Sequence, residues 1–137
     1  MNEIFCTFEI ATILKEIGFD VPCYGHWFIG KDKTFNCAVS PMNWNSMKTD
    51  LDWVSCPTYD MICRWIREKY QKHCSISYDY TLNWYFQVID LRQTVEYDYP
   101  EMKIYHSDNE TNFKSYDEAL ESCIKFCLNN VIKKNYD

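Results

Sequence analysis

Ile76-Ser77-Tyr78-Asp79-Tyr80 and, after a short break, Trp84-Tyr85-Phe86-Gln87-Val88-Ile89 form the stretch whose reading decides the fold. Large residues occupy every second position, first Ile76, Tyr78 and Tyr80, then Trp84, Phe86 and Val88, and a period of two is that of a β-strand. One strand from Ile76 to Leu91 would exceed the usual length of roughly 3–10 residues, so the spacing predicts two antiparallel strands with a turn near Thr81 to Asn83. Helical patterns flank this hairpin on both sides. The chain therefore reads as α+β.

Working outward, Tyr59, Ile62, Trp65, Ile66 and Tyr70 make an apolar helical stripe. It is expected to begin around Pro57, whose missing N–H has no partner in a first turn. Asp60 with Arg64, and Glu68 with Lys72, are spaced to pair on the solvent side of that helix. Beyond the hairpin, a fifth strand is expected around Met102 to His106. Ser115-Tyr116-Asp117-Glu118 then forms a capping box, and the helix it opens runs to about Ile132. At the other end, Phe8, Ala11, Leu14 and Ile17 predict a helix from Thr7 to Ile17, with Gly18 as its stop and Phe19 folding back onto Leu14. Tyr24 to Val39 is rich in β-favouring residues around Gly30-Lys31-Asp32-Lys33, the composition of a hairpin turn. Ser40 to Ser55 has neither period and is expected to be an irregular, packed loop. The expected architecture is a single domain over residues 1–137, with an antiparallel sheet of about five strands and three helices packed mainly on one face.

The 137 residues are 47% hydrophobic and 25% charged, the balance of a globular chain. No apolar run approaches the roughly 20 residues needed to cross a bilayer, and the opening Met1-Asn2-Glu3-Ile4-Phe5-Cys6 lacks a basic start, so the expected location is the cytoplasm. In that compartment the eight cysteines are expected as reduced thiols. The net charge of -6 is unevenly placed. Asp90, Glu96, Asp98, Glu101, Asp108, Glu110, Asp117, Glu118 and Glu121 stand against only Arg92, Lys103 and Lys114, while the rest is balanced. This distribution disfavours general nucleic-acid binding and makes a basic partner electrostatically easier.

Three glycines, Gly18, Gly25 and Gly30, cannot build the glycine-clustered loops that cradle nucleotide phosphates. Cys23-Tyr24-Gly25-His26 and the pair Cys123 and Cys127 fall short of four ligands at characteristic spacing, so neither a metal nor a cofactor is expected. Cys56, just ahead of a helix, would need His26, His73 or His106 as a base, and packing is the better reading. Asp50 with Asp52, and Glu96 with Asp98, lack the further oxygens of a cation site. The expectation is a non-enzymatic protein. With 18% aromatic residues, some must be exposed, and the loop carrying Trp44 and Trp53 is the expected surface for a partner protein or for self-association. The alternative is that Arg64, Arg67 and Lys72, placed on the second helix, grip a phosphorylated small molecule such as a nucleotide signal.

Several segments, taken in order, carry a resemblance. Glu16-Ile17-Gly18-Phe19-Asp20-Val21-Pro22-Cys23 precedes a hairpin, Cys56-Pro57-Thr58 leads into Trp65-Ile66-Arg67-Glu68-Lys69, and Trp84-Tyr85 and Ser115-Tyr116-Asp117-Glu118-Ala119-Leu120 follow. From Thr7 to Val131 this order resembles small uncharacterised proteins encoded by phages and prophages of gut Bacteroidota. The resemblance implies setting and fold only, and the expected function is that of a phage or prophage accessory protein that binds a host protein in the host cytoplasm. Each matching piece is a helix start, a helix stop or a core position, so no catalytic residue comes with it.

Overall fold

A computed structural model describes residues 4–47, 52–78, 82–92, 104–106 and 113–133. The elements run α1 Phe8–Glu16, β1 Cys23–Ile29, β2 Lys33–Met42, a 3-10 turn Trp44–Ser46, β3 Asp52–Ser55, α2 Tyr59–Tyr70, β4 Lys72–Tyr78, β5 Trp84–Asp90, β6 Ile104–His106 and α3 Tyr116–Phe126. A π-helical stretch, Cys127–Ile132, continues α3. The α+β class, the three α-helices and the antiparallel pairing agree with the sequence reading. Among the described residues the strands number six and lie in two three-stranded sheets, ordered β2-β1-β3 and β4-β5-β6, where one sheet was expected. The additional strand is β3, inside the segment read as loop. The chain divides into two compact units, Met1–Ile62 and Cys63–Asp137, with the division falling within α2.

In the first unit the Thr7 hydroxyl accepts the Ile10 N–H at 3.2 Å and opens α1. Gly18, at φ +94, closes it. Phe19 N–H reaches back to Leu14 O at 2.9 Å and Gly18 N–H to Lys15 O at 3.2 Å, the paired bonds by which a left-handed residue ends a helix. Ile10, Ala11, Leu14 and Phe19 are thereby buried, and α1 lies against β3. β1 is the central strand. Its register sets Trp27 opposite Phe35 on one side and Val54 on the other, with Phe28 opposite Thr34 and Trp53. α2 starts two residues later than expected, because the Thr58 hydroxyl, accepting the Met61 N–H at 3.3 Å, is its cap.

In the second unit β4 and β5 pair without interruption from Lys72 opposite Asp90 to Tyr78 opposite Trp84. Trp84 and Phe113 exchange backbone bonds of 2.8 and 3.1 Å just ahead of α3. The predicted capping box forms, with Ser115 Oγ accepting the Glu118 N–H at 3.1 Å. Its return arm lands one residue early, Glu118 Oε2 accepting the Lys114 N–H at 3.1 Å. α3 packs on β4 and β5, burying Ala119, Leu120, Cys123 and Ile124 against a strand face that includes Phe86 and Val88. Each fully buried large aliphatic or aromatic side chain contributes roughly 1.5–3 kcal/mol. No helix among the described residues is long and apolar enough to cross a membrane.

Candidate functional site

The residues expected to meet a partner are placed unequally. Trp44 is only 7% exposed and belongs to the core of its unit. Its indole N–H donates to Cys23 O at 2.7 Å, and its ring stacks on His26 with centroids 3.9 Å apart. Burial holds the His26 imidazole below its ordinary pKa, so at neutral pH it packs as an uncharged ring. Trp53 is half-buried, 5.5 Å from Trp44 and 4.9 Å from Phe28. The two tryptophans are thus brought together, but into a packed stack. The loop aromatics read from the sequence as a contact surface close one face of the first sheet instead.

The alternative trio is separated. Arg64 and Arg67 are exposed on α2, but Gln71 adopts a left-handed φ of 55 and ends the helix, so Lys72 opens β4 and is fully buried. Its Nζ lies 3.2 Å from Asp90 Oδ2 and not beside Glu68. Asp90 also accepts Arg92 Nη2 at 2.7 Å and the Arg92 backbone N–H at 3.0 Å. The Arg92 guanidinium first, with Lys72 adding, holds the Asp90 carboxyl well below the usual carboxylate range despite burial. Lys72 is therefore committed to an internal ion pair. Asp50, Glu96 and Asp98 lie outside the described residues, as does most of the acidic segment after Asp90.

The exposed feature is β2. Nine of its ten residues are exposed, and it is the outer strand of its sheet. Phe35 at 36%, Met42 at 42% and Val39 at 99% are its exposed apolar side chains. The strand has two parts. From Lys33 to Cys37 it pairs regularly with β1, but Met42 lies opposite Cys23 and Cys37 opposite Gly25, so Ala38 to Pro41 bow outward. Behind the regular part an aromatic group supports it, with Phe35 5.2 Å from Phe5 and 5.5 Å from Trp27, and Phe8 5.4 Å from Trp27. The Lys33 ammonium sits 4.4 Å from the Phe8 ring centroid, a cation–π contact.

The other edge of the same sheet is closed. Asn45 Oδ1 accepts the β3 N–H of Ser55 at 2.9 Å, the Asn45 backbone N–H donates to Ser55 Oγ at 3.3 Å, and Asn45 Nδ2 donates to Phe19 O at 3.0 Å. A side chain thus takes the place of a neighbouring strand. Unpaired strand edges are templates for another strand, and proteins cover the ones they do not use. The sequence located the β1–β2 hairpin but not its free edge, since nothing in a single hairpin says which strand will find a third.

Comparison of the chain with protein-family models, with curated proteins and with solved structures finds no match.

Proposed function

We propose that the chain is a non-enzymatic binding protein that takes an extended segment of a partner protein alongside β2. The observation that carries this reading is the exposure of nine of the ten β2 residues at a sheet edge, with Val39 and Met42 presented outward and Phe35 partly covered by Phe5 and Trp27. Strand addition draws affinity from backbone hydrogen bonds and specificity from alternate side chains, and this edge supplies both. The net charge of -6 favours a basic partner. The setting, a phage or prophage protein acting on a host protein in the host cytoplasm, rests on the sequence resemblance.

Pull-down from a host lysate tests the reading, with hydrogen exchange on the recovered complex. A stoichiometric partner should be captured by the wild type and lost with Val39→Glu. Amides from Thr34 to Cys37 should gain protection when it is bound. Capture that ignores Val39→Glu and Phe35→Glu would overturn the assignment to β2. An eluted phosphorylated ligand released by Arg64→Ala with Arg67→Ala would favour the small-molecule alternative. A concentration-dependent dimer abolished by Val39→Glu would make the partner strand a second copy of this chain.

A further inference from the structure

Strand β1 fixes which backbone groups of β2 are left over. In an antiparallel ladder the N–H and C=O of one residue point to the same neighbouring strand, and successive residues alternate sides. Gly25 O receives the Cys56 N–H at 2.8 Å, so Gly25 turns its backbone toward β3. Trp27 and Ile29 follow it by alternation, which leaves His26 and Phe28 to bond β2 at Asn36 and Thr34. The β3 side agrees, since the outward N–H of Ser55, opposite His26, is the one that Asn45 takes. On β2 the residues that turn N–H and C=O away from β1 are therefore Lys33, Phe35 and Cys37, and among the described residues no strand lies beyond them. The template ends there. Ala38 to Pro41 leave the regular register, and Pro41 has no N–H to offer.

Two of these residues mark the same face of the edge. Phe35 lies opposite Trp27 with ring centroids 5.5 Å apart, and Lys33, two residues earlier, holds its ammonium 4.4 Å from the Phe8 centroid and 5.5 Å from Trp27. Phe5 covers part of Phe35, which stays 36% exposed. The Lys33 ammonium meets these rings, and no carboxylate among the described residues pairs with it. Thr34 and Asn36 carry small polar side chains on the opposite face. A residue bonded opposite Phe35 would set its side chain against the open part of that ring, and one bonded opposite Lys33 would set its side chain beside the ammonium. Such cross-strand neighbours stand roughly 4.5–5.5 Å apart at Cβ, where aromatic or β-branched pairs and opposite charges are favoured.

Resting on the strand-addition reading, we propose that β2 takes an antiparallel segment carrying, in N-to-C order, a large apolar residue opposite Phe35, one intervening residue, and Asp or Glu opposite Lys33. The antiparallel direction follows because Lys33, Phe35 and Cys37 then each exchange both backbone bonds with a single residue, the more stable pairing. A segment running against β2 meets Phe35 before Lys33, which sets the order. The chain's net charge of -6 and this one acid act at different ranges. Net charge steers a partner as a whole, whereas salt screens exposed charges beyond about 8 Å and leaves Lys33 to decide the position beside it. A second copy of β2 does not supply the pattern, since Lys33–Met42 contains no acidic residue. The occupant is a segment of another protein.

The test selects displayed random heptapeptides on the immobilised full chain, as wild type and as Lys33→Glu. Lys33 is exposed, so reversing its charge spares the core. Wild type should enrich peptides with a large apolar residue two places before an acid, and Lys33→Glu should keep the apolar position while exchanging the acid for Lys or Arg. A synthetic peptide from the wild-type pool should lose about tenfold in affinity on Lys33→Glu, and its acid-to-Lys version should recover binding there. In hydrogen exchange with that peptide, the Phe35 and Cys37 amides should gain protection, while Thr34 and Asn36, already bonded to β1, change little. Peptides that protect Phe35 and Cys37 but bind both chains equally, or carry the acid first, would overturn the pattern and leave the β2 edge standing. Peptides that protect other amides, or no enrichment at all, would overturn both.

Discussion

In residues 4–62, α1 lies against β3 and reaches across the sheet through Phe8 to Trp27 of β1 and Lys33 of β2, while nine of the ten residues of β2 stay exposed. In residues 63–133, α3 lies across β4 and β5, and the middle strand is buried at Phe86, Val88 and Asp90. Both units combine three antiparallel strands with one helix, and both carry a thiol contact in the core, Cys6 with Cys56 in one and Cys74 with Cys123 in the other. The difference lies in what stays uncovered: in the first unit the outer strand β2 keeps nine of its ten residues exposed, whereas in the second every second residue of β5 from Phe86 to Asp90 is buried. The two thiol contacts behave alike, since hydrogen bonding with Cys56 and burial push Cys6 up as hydrogen bonding with Cys74 and burial push Cys123 up.

The largest expected effect strikes the covered sheet. Asp90→Asn leaves the Lys72 ammonium buried beside a neutral amide, and breaking such a pair costs about 3–5 kcal/mol, measurable by urea unfolding. The sign with pH follows from the depressed Asp90 carboxyl. Its stabilisation is complete above the unfolded carboxylate pKa of about 3.9 and is lost as pH falls toward the lower folded value, so wild type should weaken in acid more steeply than Asp90→Asn. Gly25→Ala should come next, at about 2–3 kcal/mol, because the added carbon meets the backbone of Cys56. Hydrogen exchange should place the first loss in β4 and β5 and the second in β1 and β3. Equal loss in both units from either change would erase the comparison and support the one-domain reading of the sequence. Ser115→Ala should cost about 1 kcal/mol by melting, the worth of an N-cap. Gln71→Gly should gain about 0.5–1 kcal/mol by relieving a left-handed backbone at an exposed position.

The elements legible in the sequence are those whose signals are local. Thr7, Gly18 and Ser115 act within four residues of themselves, and the α1 and α3 boundaries they set were readable to within a residue or two. β3 was not, because its four residues include one charged side chain and its partner strand lies more than twenty positions earlier. Trp44 was misplaced for a similar reason. The aromatic surplus suggested an exposed ring, but a distant carbonyl, Cys23 O, takes its indole N–H inside. Lys72 was read as the end of the helix, and a turn centred within Thr81 to Asn83 would have set it opposite Arg92, whereas the register that pairs Tyr78 with Trp84 sets it opposite Asp90. The free edge of β2 and the Cys6–Cys56 contact depend on what the rest of the unit does, and no short window contains that.

The π-helical stretch Cys127–Ile132 bears on how this chain can change its length. Lys133 N–H bonds to Leu128 O, five residues back instead of four, so each turn here holds one residue more than an α-helix needs. Asn129 and Asn130 are exposed, while Val131 and Ile132 beyond them are buried. Removing one asparagine would let the turn relax to α geometry with Val131 and Ile132 still facing inward. The helix therefore carries a spare residue, and its end is a place where the gene could lose a codon while the core keeps its register.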